Sequence, residues 1–169
     1  YPHTSAVTPN NLIVPVDVTT QTNLPAIDLM VADKVTGLTA QNSTASLSFS
    51  HKLCKLVLKV QKDDSSADVD LSNATAVIKG TKTKASWNLA NAELSQSGDA
   101  ADIALSMTPD GTQSTAIVLP TDAGSGVSIT LTTKNGSAFT ASLDPSLALV
   151  AGTVNTYTIG IIRSDGTDS

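Results

Sequence analysis

The stretch Leu47–Val60, LSFSHKLCKLVLKV, decides the fold class, and it also holds His51 and the chain's only cysteine, Cys54. Apolar and polar residues alternate along it with the period-two pattern of a half-buried strand. The alternation changes phase. Leu47, Phe49, His51 and Leu53 share one parity, whereas Cys54, Leu56, Leu58 and Val60 share the other. A strand cannot move its apolar face in mid-run without an inserted residue or a second covered face. The pattern therefore predicts a β-bulge near Cys54-Lys55, or one long strand that covers two cores in turn. The same geometry bears on chemistry. Three residues of strand separate two Cα atoms by about 10 Å and set their side chains on opposite faces. A nucleophilic Cys–His pair needs heavy atoms about 2.6–3.2 Å apart. Cys54 thus reads as an inert core thiol and His51 as a buried or sheet-lining residue.

Outward from this segment, short alternating runs recur between Gly, Pro, Asn, Asp and Ser. Expected strands are Leu12–Val18, Ile27–Ala32, Thr44–Lys62, Thr75–Gly80, Lys84–Leu89, Ile103–Thr108, Thr115–Leu119, Val127–Thr133, Ala138–Leu143 and Thr156–Ile162. Pro15 demotes the first to an edge or a bulge, because proline has no N–H for a ladder. Asn135-Gly136 reads as a type I′ hairpin turn, since both residues tolerate positive φ. Pro109-Asp110-Gly111 and Ala151-Gly152 read as further turns. Leu143–Val150 is the one place for a helical turn, with Asp144 as cap and Pro145 at its first position. Many short strands at regular spacing argue for an antiparallel β-sandwich, Greek-key-like and of about seven strands.

Composition narrows the function classes. Aromatic residues make up only 3% of the 169 residues, so the core must be built from Val, Ile, Leu and Ala. Charged residues are 15% and the formal net charge is −5. Lys52, Lys55, Lys59 and Lys62 follow one strand as its wet positions, and no basic cluster exists to displace counterions from a nucleic acid. No apolar run has the length of a membrane span. The opening residues have no charged start followed by an apolar run, so they do not read as a signal peptide. A single cysteine permits no internal disulfide and no multi-cysteine metal site.

No catalytic, cofactor or metal constellation emerges. His3 lies in a terminal segment, far from His51. Asp63, Asp64, Asp68 and Asp70 make an acidic loop without the residue order of a calcium loop. Ala123-Gly124-Ser125-Gly126 lacks the first glycine and the strand-to-helix setting of a nucleophile elbow. Asn42-Ser43-Thr44, Asn73-Ala74-Thr75 and Asn135-Gly136-Ser137 fit the N-glycosylation pattern, as chance matches will in so hydroxyl-rich a chain.

Several segments, taken in order, resemble the fimbrillin-like family, the type V pilus subunits and related surface proteins of Gram-negative anaerobes. Phe49-Ser50-His51-Lys52-Leu53-Cys54-Lys55 is similar to the family pattern F-x-H-x-L-x-K. Tyr1-Pro2 and Asp28-Leu29-Met30 resemble its preceding extended segment. Val77-Ile78-Lys79-Gly80, Trp87-Asn88-Leu89, Ala116–Pro120 and Ala151-Gly152 with Tyr157-Thr158-Ile159 resemble its later strands. The resemblance implies a two-domain β protein displayed on the cell surface. It further implies partners in other pilus subunits, joined by donor-strand exchange, with no catalysis and no cofactor. Residues 1–43 would be an extended remnant of a first β-domain, 44–163 the sandwich and 164–169 a flexible tail. On this resemblance Tyr1 would match the middle of a family member, and RSDGTDS, coming soon after the last matched strand, is not expected to hold a long donor strand. An alternative function is a non-polymerising adhesin for host glycan or protein. Sugar sites use exposed aromatic platforms, for which Trp87 and the tyrosines are the available residues.

Overall fold

The computed structural model describes residues 7–162 apart from 9, 123–125, 145 and 147. Twelve strands run through these residues: β1 (Ile13–Asp17), β2 (Met30–Ala32), β3 (Phe49–His51), β4 (Cys54–Lys62), β5 (Thr75–Lys79), β6 (Lys82–Asn88), β7 (Glu93–Ala100), β8 (Ile103–Leu105), β9 (Gln113–Val118), β10 (Ser128–Thr132), β11 (Ala138–Ser142) and β12 (Val154–Ile161). A single helical turn, α1 (Leu24–Ile27), and a 3-10 turn at Asp64–Ser66 complete the described elements. The sheets have the orders β1-β6-β7, β11-β10-β5-β8, β12-β4-β9 and β2-β3. The first three contribute to one core, which holds Val14 and Val16 of β1, Leu56 and Leu58 of β4, Ile78 of β5, Trp87 of β6, Ile129 and Leu131 of β10, and Ile161 of β12. The all-β sandwich expected from the alternation is what the chain forms.

The opening stretch resolves into two strands rather than one. β3 ends at His51 and β4 begins at Cys54. In the gap, Lys52 N donates to Leu29 O at 2.8 Å, and Leu53 O accepts from Gly152 N at 2.9 Å. Leu53 and Cys54, though adjacent, are both buried. The phase change is therefore a break with a change of partner, since β3 pairs with β2 and β4 with β9 and β12. The alternative of a bulge at Cys54-Lys55 does not hold, because Cys54↔Val118 and Lys55↔Ile117 pair in continuous register. Nor does β3 cover a second core: Leu47 and Phe49 are each 55% exposed.

Most of the other expected strands stand within a few residues of their predicted bounds. β1 is an edge strand, and Pro15 sits opposite Ser86 of β6. Its Val14 and Val16, with Val18 beyond, enter the core, which builds residues of the 1–43 segment into the sandwich. The expected strand at Ile27 starts later, because Pro25 favours the first turn of a helix and α1 occupies 24–27. β7 was not foreseen. It pairs along β6 with almost all of its side chains exposed, and it carries one extra residue where Lys82↔Ala100 and Lys84↔Ser97 bracket Gly98 at φ +72°.

The β10–β11 hairpin forms where predicted, with a different turn. Gly136 N donates to Thr133 O at 3.0 Å, and Thr133 N donates to Ser137 O at 2.9 Å. Lys134 and Asn135 are the central residues, and only Gly136, at φ +89°, lies in the positive region. This is the three-residue loop closed by a glycine bulge, not the two-residue type I′ turn. One ladder also departs from antiparallel pairing: β12 runs parallel to β4 from Val154↔Lys55 to Ile161↔Lys62. At the expected helical turn, Asp144 Oδ1 accepts from Ser146 N at 2.8 Å, while positions 145 and 147 lie outside the described residues.

Candidate functional site: an open seam between two edge strands

The two residues that raise the question of catalysis take separate partners. His51 Nδ1 lies 2.8 Å from Asp28 Oδ2, and the imidazole is half exposed on β3. Cys54 is fully buried and its Sγ accepts from Asn155 Nδ2 at 3.0 Å. Burial pushes the thiol above its ordinary range, against the weaker pull of Asn155 and Thr153. A thiol held neutral and out of water is a poor nucleophile. The remaining sequence candidates are equally plain. Asp63 caps the 3-10 turn, with Oδ1 accepting from Ser65 Oγ at 2.7 Å and from Ser66 N at 3.0 Å. Asp70 Oδ1 accepts from Ser72 N at 2.8 Å, and Lys62 Nζ ties the loop through Ala67 O and Val69 O. Among the described residues no three His, Cys, Asp or Glu side chains gather as metal ligands. His3 and positions 123–125 lie outside the described residues.

Trp87 is not an exposed platform. It is only 7% exposed, and the Lys52 ammonium sits 5.4 Å from the centre of its ring. Tyr157 is half-buried and its phenol is raised chiefly by that burial, with smaller contributions from neighbouring Cys54 and Asp144.

The feature that stands out is structural. β11 pairs only with β10, and β12 only with β4, so each presents an outer edge without a ladder partner among the described residues. Their neighbours are fully covered: Leu131 of β10 and Leu58 of β4 are each 0% exposed. On the edges themselves, Phe139 and Ala141 of β11 and Tyr157 of β12 point towards the core yet stay partly exposed. The two edges approach one another. Phe139, Ile161 and Ile162 line one cavity of about 280 Å³, whose floor includes Ser66, fully buried with its hydroxyl unpaired. At the other end Asp144, just beyond β11, is close enough to influence Tyr157. The arrangement is a sandwich with partly exposed apolar side chains along two edge strands, a seam between β11 and β12. Unpaired ladder groups beside half-covered apolar side chains make such an edge a template for an added strand.

No helix among the described residues is long and apolar enough to cross a membrane. Comparison with known proteins agrees with the architecture. The chain is 33% identical to the Bacteroides uniformis protein named "Putative fimbrium subunit Fim1C", over 97% of this chain and 56% of that protein. A crystal structure of a "putative cell adhesion protein" from Bacteroides uniformis superposes with a TM-score of 0.84 at 32% identity, covering 95% of this chain and 65% of that one. A similarly described protein from Bacteroides ovatus shares the fold at 21% identity, with a TM-score of 0.73 over 95% of this chain and 60% of its own. The chain thus spans little more than half the length of the curated relative. Residues 1–168 match the family model described as fimbrillin-like, and the chain belongs to the fimbrillin-like family.

Proposed function

We propose that the chain is a structural part of a fimbrium subunit at the cell surface, with a role in adhesion, and that it joins other subunits through β-strand exchange. The observation that carries the reading is the seam between β11 and β12, where inward-facing Phe139, Ala141 and Tyr157 lack the cover that their neighbours have. An extended strand from another subunit, laid along the free edge of β12, would pair its backbone groups and bury those side chains. Ladder bonds supply affinity in this mode and alternate side chains supply register. A structural rather than catalytic role agrees with the separation of His51 from Cys54 and with the family's relatives. Residues 1–43 are proposed as the handover from a first β-domain, since the relatives extend well beyond the match.

Hydrogen exchange on full-length subunit before and after fibre formation tests the proposal. Amides of β12 should be unprotected along the outer edge in monomers and become protected in fibres. Unchanged protection of β11 and β12 in fibres would rule out the seam as the acceptor.

A further inference from the structure

The wall of β6 and β7 carries a second feature, remote from the seam. A groove of about 900 Å³ runs between these strands and the short bridge that joins Thr121 to Leu149 through backbone bonds of 3.0 and 2.9 Å. Its apolar lining includes Leu94, Leu149 and Val150. Its polar lining is unbalanced. Trp87 Nε1 and Thr121 Oγ1 are both buried in the wall without a hydrogen-bond partner. Such groups are rare in folded proteins, because each forfeits its bond to water. Two basic residues, Lys52 and Lys82, line the same space against a single acidic one, Asp122. Neither lysine takes part in an ion pair among the described residues, and the Lys52 charge rests over the Trp87 ring.

These requirements define a ligand. The indole N–H needs an acceptor, the Thr121 hydroxyl needs a donor or acceptor, and the local excess of positive charge favours an anion in a protein whose net charge is −5. The apolar strip needs a C–H face. The Gln96 amide, held by donation from Nε2 to Pro120 O at 2.5 Å, keeps its carbonyl oxygen for a hydroxyl. A carboxylated sugar carries all of these in one small ring: an acid group, a rim of hydroxyls and an apolar face. The groove is of the size that binds small organic ligands.

We propose that this groove binds a carboxylated saccharide residue, with Lys52 and Lys82 holding the acid group and Trp87 Nε1 and Thr121 Oγ1 bonding the sugar rim. Binding draws the Lys52 ammonium off the indole ring towards the carboxylate. Because Trp87 is the chain's only tryptophan, its emission reports the event directly.

The experiment is a fluorescence titration of the monomeric chain with N-acetylneuraminic acid and with glucuronic acid, repeated by calorimetry. Glucose and sodium acetate serve as probes of the rim and of the acid group alone. A saturable change with at least one acidic sugar is expected, about tenfold weaker for glucose and for acetate. It should weaken about tenfold in Lys52→Gln and in Thr121→Val, with Tm as the check that each variant is folded. No saturable response to either acidic sugar at about 10 mM overturns the proposal. So does an equal response to acetate, which would mean general anion binding, or an unaltered affinity in folded Lys52→Gln. Trp87→Phe, followed by calorimetry, replaces the indole with a smaller phenyl ring that has no N–H, so unaltered affinity in the folded variant would overturn the bond assigned to Nε1. The titration involves no fibre formation, and its outcome is independent of the seam.

Discussion

Gln21 closes the backbone of Ile117 from both sides: its Nε2 donates to Ile117 O at 3.0 Å, and Ile117 N donates to its Oε1 at 2.9 Å. A side-chain amide here reproduces the pair of bonds that a neighbouring strand would make. It also donates to Val18 O at 2.5 Å, at a site where Gln21 is 6% exposed. The amide thus blunts the edge of β9 from inside the fold.

Gln21→Ala should therefore destabilise the fold by about 2–4 kcal/mol, because it strands buried backbone groups that water cannot reach. Exposed Gln41→Ala should change stability by no more than about 0.5 kcal/mol. Urea denaturation at neutral pH reads both. Equal small effects would show that the Gln21 bonds exchange freely with water.

Two glycines at positive φ should respond differently to alanine. A Cβ on Gly111, at φ +70°, would collide with the backbone oxygen of Leu71, which cannot swing aside. One on Gly136 would meet open space. Gly136→Ala should cost only the conformational penalty of about 1–2 kcal/mol. Gly111→Ala adds overpacking and should reach about 3–5 kcal/mol. Thermal melts would expose the difference as two clearly separated shifts in Tm.

Cys54 should link stability to alkaline pH. Its folded pKa is raised by burial, so the neutral thiol is the form that the fold prefers. The associated stability is fully present below the unfolded value of about 8.5 and is lost as pH rises through the folded value. Unfolding midpoints compared between pH 7 and 10 should fall further for the natural chain than for Cys54→Ala, which removes that single titration. The thiol should also react with a maleimide far more slowly in the native protein than in urea. Native labelling as fast as unfolded labelling would refute the buried assignment.

How much of this was legible in the sequence depends on where each signal resides. β5, β10 and β11 carry their own alternation, and side chains such as Ala76, Ile78, Ile129 and Leu131 enter the core as their parity requires. β7 could not be read, because ELSQSGDA buries little and is held by its ladder to β6. The parallel partnership of β12 with β4 joins segments 99 residues apart, between Val154 and Lys55, and no local pattern encodes it. The seam was hidden for a related reason. Phe139 and Tyr157 alternate like core residues, and their partial exposure follows from their place on edge strands with no outer ladder partner among the described residues, not from their own sequence. The phase change around Cys54 was visible, but a break and a bulge leave the same trace in parity.

The pairing of His51 with Asp28 makes the final test of the opening stretch. The two side chains meet at 2.8 Å, but the imidazole is 53% exposed, so solvent screens the attraction. Exposed pairs of this kind contribute about 0.2–1 kcal/mol. A double-mutant cycle with His51→Ala and Asp28→Ala should give a coupling within that range, shrinking further in high salt. Cys54 reactivity should be the same in His51→Ala as in the natural chain, since its thiol is held by Asn155 and by burial. A fall in thiol reactivity on removing the imidazole would restore the catalytic reading of this pair. Unchanged reactivity leaves His51 as the β3 residue that ties the short β2–β3 ribbon to Asp28, on the exposed side of the break from the core strand β4.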